Sequence, residues 1–180
     1  MLIDRNQSLL LIVDVQERLA PAIHEGAAAI ANNGRLLAAA ERLGVPVFVS
    51  EQYVRGLGPT VPELQPLPAD AWRFDKTHFS CTREPGFLAR LAQAGRRQIL
   101  VTGMETHVCV LQTVLGLIDA GYAVFLIEDA ASSRAPENRA AAIARARAAG
   151  AHIVTTEMVL FEWLERAGTD DFRALLPLIK

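Results

Sequence analysis

The hydrophobic pattern of the chain is a series of short apolar runs, each ending in a glycine, a proline or a charged residue. The first, Ser8–Val13, reads Leu9-Leu10-Leu11-Ile12-Val13 with no polar alternation and ends at Asp14. A run without alternation predicts a strand covered on both faces. Residues 15–25 predict a loop broken by Pro21, and residues 27–43 an Ala/Leu-rich helix stopped by Gly44. Further strands are predicted at 45–49, 73–79, 98–102, 122–127 and 151–155. Helices are predicted at 86–94, 106–120 and 137–149, the last opened by Pro136, and at 156–166 with Thr156 as its cap. Residues 51–71, with Gly56, Gly58, Pro59, Pro62, Pro66 and Pro68, form a long irregular loop of the kind that covers a site.

Strands separated by helices this regularly predict one α/β domain over 1–180, a three-layer α/β/α arrangement about a central, mostly parallel six-stranded sheet. Such sheets place function at the C-terminal ends of their strands. The polar residues that fall there are Asp14, Lys76 and Cys109, with Glu128 and Asp129 further along.

Cys109 lies where the run ending at Thr102 breaks at Gly103 and a helical pattern starts. With Thr106 as N-cap, the cysteine falls in the first helical turn, among unpaired N–H groups and the positive end of the dipole. That setting favours a thiolate, the reactive form of cysteine. A lone cysteine in an apolar helix is otherwise a small buried hydrophobe, and the stretch by itself leaves both readings open. Together, Lys76 is a cation that lowers a thiol pKa, and Asp14 an acid that orients the lysine or carries the thiol proton. Backbone N–H groups of the turn before Cys109 are placed for an oxyanion. His78, two residues from Lys76 on the predicted strand face, is an alternative base; His107 is expected to point elsewhere.

Composition narrows the class. The chain has 180 residues, enough for one buried core, and a net charge of -2, which argues against nucleic acid as a partner. Two cysteines are too few for a disulfide scaffold and fit a reducing cytoplasm. The first residues lack the basic start and apolar run of a signal peptide, and no apolar stretch approaches the ~20 residues that cross a bilayer. A hydrophobic content of 51% points to a sheet buried on both faces and to self-association as a homo-oligomer.

Three segments, Leu11-Ile12-Val13-Asp14-Val15-Gln16, Lys76-Thr77-His78-Phe79-Ser80 and Gly103-Met104-Glu105-Thr106-His107-Val108-Cys109-Val110, resemble in order those of the isochorismatase-like cysteine hydrolases. That superfamily includes nicotinamidases and N-carbamoylsarcosine amidase, and the resemblance runs over nearly the whole chain. It implies Asp14 as proton acceptor and donor, Lys76 as thiolate stabiliser and Cys109 as nucleophile. It also implies the backbone N–H groups of Glu105 and Cys109 as oxyanion donors, with a cis peptide at Met104–Glu105. The reaction implied is hydrolysis of an amide-like C–N bond of a small molecule through a thioester, with no cofactor. Isochorismatases themselves lack the cysteine, so its presence argues against that substrate. Metal-binding nicotinamidases carry an Asp-x-His and a further His after the second strand. The corresponding Ser50-Glu51-Gln52-Tyr53 region has no histidine, which argues against a bound metal and against nicotinamide as the substrate. Gln16, Phe79, Gln52 and Tyr53 are candidate pocket residues. A catalytically idle descendant that binds a ligand or partner in the same cleft is the competing reading.

Overall fold

The structure, a computed structural model, describes residues 1–179. Six strands form one sheet: β1 (Ser8–Val13), β2 (Val47–Gln52), β3 (Trp72–Lys76), β4 (Gln98–Met104), β5 (Ala123–Ser132) and β6 (His152–Val154). Their order is β3-β2-β1-β4-β5-β6 and every strand pairing is parallel, so the expectation of a mostly parallel sheet becomes a fully parallel one. The helices are α1 (Gly26–Leu43), α2 (Val54–Leu57), α3 (Phe87–Gln93), α4 (Leu111–Asp119), α5 (Pro136–Ala148), α6 (Thr156–Leu164) and α7 (Asp170–Ile179).

The unbroken apolar runs are explained by cover on both faces. One face of the sheet packs Leu10, Ile12 and Val49 against Leu36 of α1, Trp163 of α6 and Leu175 of α7. The other packs Leu9, Leu11 and Val13 against Phe87 and Leu91 of α3, Val114 and Leu117 of α4, and Ile143 of α5. Each of these strand side chains is closed to solvent, and truncating one such leucine to alanine costs about 2–5 kcal/mol.

Several strands run further than the apolar pattern indicates. β2 continues through Ser50-Glu51-Gln52, β4 through Gly103-Met104, and β5 through Glu128-Asp129 to Ser132. The ladder to β3 holds Ser50 to Gln52, and the ladder between β4 and β5 resumes at Ala131 and Ser132 after a register shift that spans Glu128 and Asp129. β3 departs in the other direction: it stops at Lys76, and Thr77 to Phe79 leave the sheet. His78 therefore does not share a strand face with Lys76. Its exposed ring pairs with Glu84 at 2.9 Å, which removes it as a partner for the cysteine.

The chain runs outward through β2 and β3 from one side of β1, then starts again on the other side with β4. The switch point of the sheet is thus the crevice above the C-terminal ends of β1 and β4. The two strands approach so closely at their ends that a Cβ on Gly103 would sit 1.9 Å from the Val13 carbonyl oxygen. Gly103 also has φ +114°, a backbone that side chains rarely adopt. No helix among the described residues is long and apolar enough to cross a membrane.

Candidate active site

Asp14 ends β1 in the left-handed region, φ 53°, a conformation aspartate tolerates better than most residues and one that gathers at functional sites. Its side chain is closed to solvent. Oδ1 accepts from Ser50 Oγ at 2.7 Å, and Oδ2 from Lys76 Nζ at 2.7 Å. Lys76 is 2% exposed and donates also to Gln52 Oε1 at 2.5 Å, to the Phe79 carbonyl at 3.1 Å and to the His78 carbonyl at 3.3 Å. Three protons against four acceptors leave the ammonium fully occupied inside the protein. Burial is the largest influence and acts to lower its pKa, but the Asp14 carboxylate together with the Cys109 and Cys81 sulfurs outweighs it and holds the amine above its usual value.

Cys109 sits in a π-helical turn, Thr106–Val110, that joins β4 to α4. The Glu105 carbonyl takes the N–H groups of Val108 at 3.0 Å and Val110 at 3.3 Å, passing over that of Cys109. Neither the Glu105 nor the Cys109 N–H donates to a group outside the turn among the described residues. The Met104–Glu105 peptide is cis, as the resemblance implies. Thr106 is not the N-cap expected from the sequence. Because β4 runs two residues past Thr102, Glu105 occupies the cap position with extended backbone, and the buried Thr106 hydroxyl has no hydrogen-bond partner among the described residues.

The Cys109 thiol, 6% exposed, lies in the field of both Asp14 and Lys76. Burial pushes its pKa up, the Asp14 charge pushes the same way, and Lys76 pulls against both. The direction is the reverse of the lowered thiol pKa expected from the sequence, because burial and Asp14 together outweigh Lys76. Burial likewise raises the Asp14 carboxyl above its ordinary value, against the pull of Lys76 and Ser50. Burial thus raises the proton affinities of carboxyl and thiol together, and the two titrate as a coupled pair. Cys81 is closed to solvent, its thiol raised to about 11 by burial and by Asp14, and its N–H bonds Thr113 Oγ1 at 3.0 Å.

Of the candidate pocket residues, Gln16 is buried and bonded, with Nε2 to the Gln52 carbonyl at 3.0 Å and the Gly58 carbonyl at 2.6 Å, and Oε1 taking the Gln52 N–H at 2.7 Å. It ties down the start of the long loop. Gln52 holds Lys76 and, through Nε2, the Thr77 carbonyl at 2.9 Å. Tyr53 and Phe79, 58% and 54% exposed, stand at the rim. A groove of about 340 Å³ beside Lys76 is walled by Tyr53, Val54, Arg55, Asp75, Thr77 and Glu84. A larger one, about 780 Å³, lies over α1 between Pro21, Ile30 and Val61 and touches none of Asp14, Lys76 or Cys109, so volume alone points away from the chemistry. Asp129 takes no part either. Its carboxylate accepts from the Thr156 N–H at 2.8 Å and hydroxyl at 2.9 Å, while Thr155 caps α6 where Thr156 was expected. Ser50 was missed; the polar Ser50-x-Gln52 alternation at the end of an apolar strand was the available signal. Among the described residues, no group of three or more His, Cys, Asp or Glu is placed to hold a metal ion.

Residues 8–158 match the isochorismatase domain. The chain belongs to the isochorismatase family. It is 38% identical over 181 residues to the secreted isochorismatase effector Isc1 of Phytophthora sojae, covering 97% of this chain and 85% of that protein. Among solved structures, the MAR1 ribonuclease of Caenorhabditis elegans superposes with a TM-score of 0.94 at 34% identity, over 99% of this chain and 92% of that one. The YcaC gene product of Escherichia coli, an octameric hydrolase of unknown specificity, gives 0.93 at 25% identity, over 99% and 90%. This isochorismatase-family fold supports a hydrolase-type function.

Proposed function

We propose that this protein is a cysteine hydrolase that cleaves an amide-like C–N bond of a small molecule through a thioester. The observation that carries the reading is the fully buried Asp14–Lys76 ion pair, set at the sheet's switch point against the Cys109 thiol. Burying such a pair has a desolvation cost, so it is weak evidence for stability and better evidence for chemistry.

As Cys109 Sγ attacks the substrate carbonyl, Asp14 takes the thiol proton, and the N–H groups of Glu105 and Cys109 receive the developing oxyanion. Collapse of the tetrahedral species breaks the C–N bond, and Asp14 delivers the proton to the leaving nitrogen. Water then attacks the thioester with Asp14 again as base; the acid leaves and the thiol is restored. Lys76 stays protonated throughout. With its protons held by Asp14, Gln52 and the loop carbonyls, it acts as a fixed charge that stabilises thiolate and carboxylate in turn.

The whole chain is proposed to act as one hydrolase domain, as a homo-oligomer, without cofactor and in a reducing cytoplasm. The octameric E. coli relative and the exposed rim aromatics Tyr53 and Phe79 support assembly; the two free cysteines suit the compartment. The name of the C. elegans relative raises RNA as a substrate. A small molecule is favoured because the net charge is -2 and the lysine at the site is closed inside it. The test is a panel of small primary and secondary amides assayed for ammonia or amine release, with Cys109→Ala and an RNA oligonucleotide in parallel. Release that depends on Cys109 supports the proposal. RNA cleavage without amide hydrolysis, or hydrolysis that survives Cys109→Ala, overturns it.

A further inference from the structure

The turn that presents the Glu105 and Cys109 N–H groups is braced by the segment that follows β5. Glu105 Oε2 accepts both from the Arg134 backbone N–H at 2.9 Å and from Arg134 Nε at 3.0 Å. Two residues on, His107 Nδ1 lies 3.0 Å from Ser133 Oγ. The segment reaches the turn because the β4–β5 ladder shifts register: Val101 faces Leu126, but Gly103 faces Ala131 and Met104 faces Ser132. The extra length on β5 carries Ser133 and Arg134 past the end of β4. The segment is fastened in turn to the loop after β1, with the His24 N–H on the Ser133 carbonyl at 3.1 Å and Ser132 Oγ on the His24 carbonyl at 2.6 Å.

We propose that Arg134 is a positioning residue for the oxyanion hole: by gripping the Glu105 carboxylate it fixes the direction in which the Glu105 N–H points. This rests on the nucleophile and hole proposed above. One carboxylate oxygen held by two donors, one of them backbone, leaves the Glu105 side chain little freedom. Those two bonds anchor the Glu105 Cα through its side chain, and with it one end of the peptide plane that carries the N–H. An oxyanion donor is effective because it is aimed before charge develops, so loosening it costs rate and leaves the ground state alone. The Arg134 side chain is 62% exposed against 8% for Glu105, so altering it opens no core. The brace therefore serves geometry more than stability.

Two reagents that attack the same sulfur separate this role from others. p-Nitrophenyl acetate acylates Cys109 through a tetrahedral oxyanion: the S–C bond forms, the C–O bond breaks, p-nitrophenolate leaves and Asp14 takes the thiol proton. Iodoacetamide alkylates at a saturated carbon, losing iodide, with no oxyanion. Because the donor is misaimed and not deleted, Arg134→Ala is expected to slow acylation roughly tenfold, below the 10²–10³ of a lost donor. Alkylation should stay within about twofold, and Arg134→Lys should recover part of the acylation rate. Glu105→Gln, which keeps an accepting oxygen but weakens the grip, is the second variant and should show a smaller loss of the same kind. Equal losses with both reagents, or acylation unchanged in both variants, overturns the brace. A p-nitrophenolate burst that survives Cys109→Ala overturns the nucleophile reading itself, and with it the hole this brace serves.

Discussion

Replacing Asp14 by asparagine separates two effects that usually travel together, because it should make Cys109 more reactive while abolishing turnover. In the resting site the thiol is raised by burial and by the Asp14 charge, with Lys76 opposing. Asparagine removes the carboxylate charge and leaves burial and the lysine in place. Two unit charges about 4 Å apart interact by about 4 kcal/mol at an effective dielectric of about 20, and even a third of that is a tenfold change in thiolate. A gain of about 10- to 100-fold in thiolate is partly offset by the weaker nucleophilicity of a lower-pKa sulfur. The net expectation is alkylation by iodoacetamide about 3- to 10-fold faster at pH 7.5, with a pH–rate curve displaced to lower pH. Turnover should fall by about 10²–10⁴, since no group remains to carry the proton. Stability should fall as well: the Lys76 ammonium keeps only neutral acceptors, namely the introduced amide oxygen, Gln52 Oε1 and two carbonyls, and breaking a buried pair costs about 3–5 kcal/mol. The assay is the alkylation rate of Cys109, followed by mass spectrometry of its peptide to exclude Cys81, on protein shown by circular dichroism to be folded. A folded Asp14→Asn variant that alkylates more slowly than the parent would refute the argument. It would mean that Asp14 generates the thiolate in the free enzyme and does not suppress it.

Lys76→Met should act in the opposite sense, raising the thiol further and slowing alkylation across pH; agreement of the variant with the parent would remove Lys76 as the opposing charge. Gly103→Ala places a Cβ 1.9 Å from the Val13 carbonyl at φ +114°, and a cost of about 3 kcal/mol should lower Tm by about 6–12 °C in thermal melts. A Tm within a degree or two of the parent would contradict the close approach of β1 and β4. Hydrolysis, once a substrate is in hand, should survive prolonged dialysis against EDTA; loss of activity restored by zinc or iron would contradict the metal-independent mechanism. Light scattering at micromolar concentration should give a multiple of 19.6 kDa, and a monomer mass would count against assembly.

The sequence determined where the strands lie and which residues stand at their ends. Runs such as Leu9 to Val13 have one physical explanation, cover on both faces, and a parallel sheet follows from their alternation with helices. Asp14, Lys76 and Cys109 were legible because each interrupts an apolar pattern where such a sheet places its function. Lys76 carried a further signal: apart from Lys180 it is the only lysine in a chain that otherwise uses arginine for its cations. What the pattern could not show is where strands end, since Ser50 to Gln52 are held by the ladder to β3, and β5 runs through the polar Glu128-Asp129 to rejoin β4 at Ala131 and Ser132. Nor could it show that β3 stops at Lys76 and turns His78 out to solvent.

Tertiary structure alone decided the rest. The thiol's proton affinity depends on how completely water is excluded and on which charge stands nearer, and neither is written locally. The grip of Arg134 on Glu105 spans 29 residues and depends on a register shift between two strands. Charge patterning along one chain cannot predict which surface arginine meets which acid; the packing of β5 against β4 selects that pair.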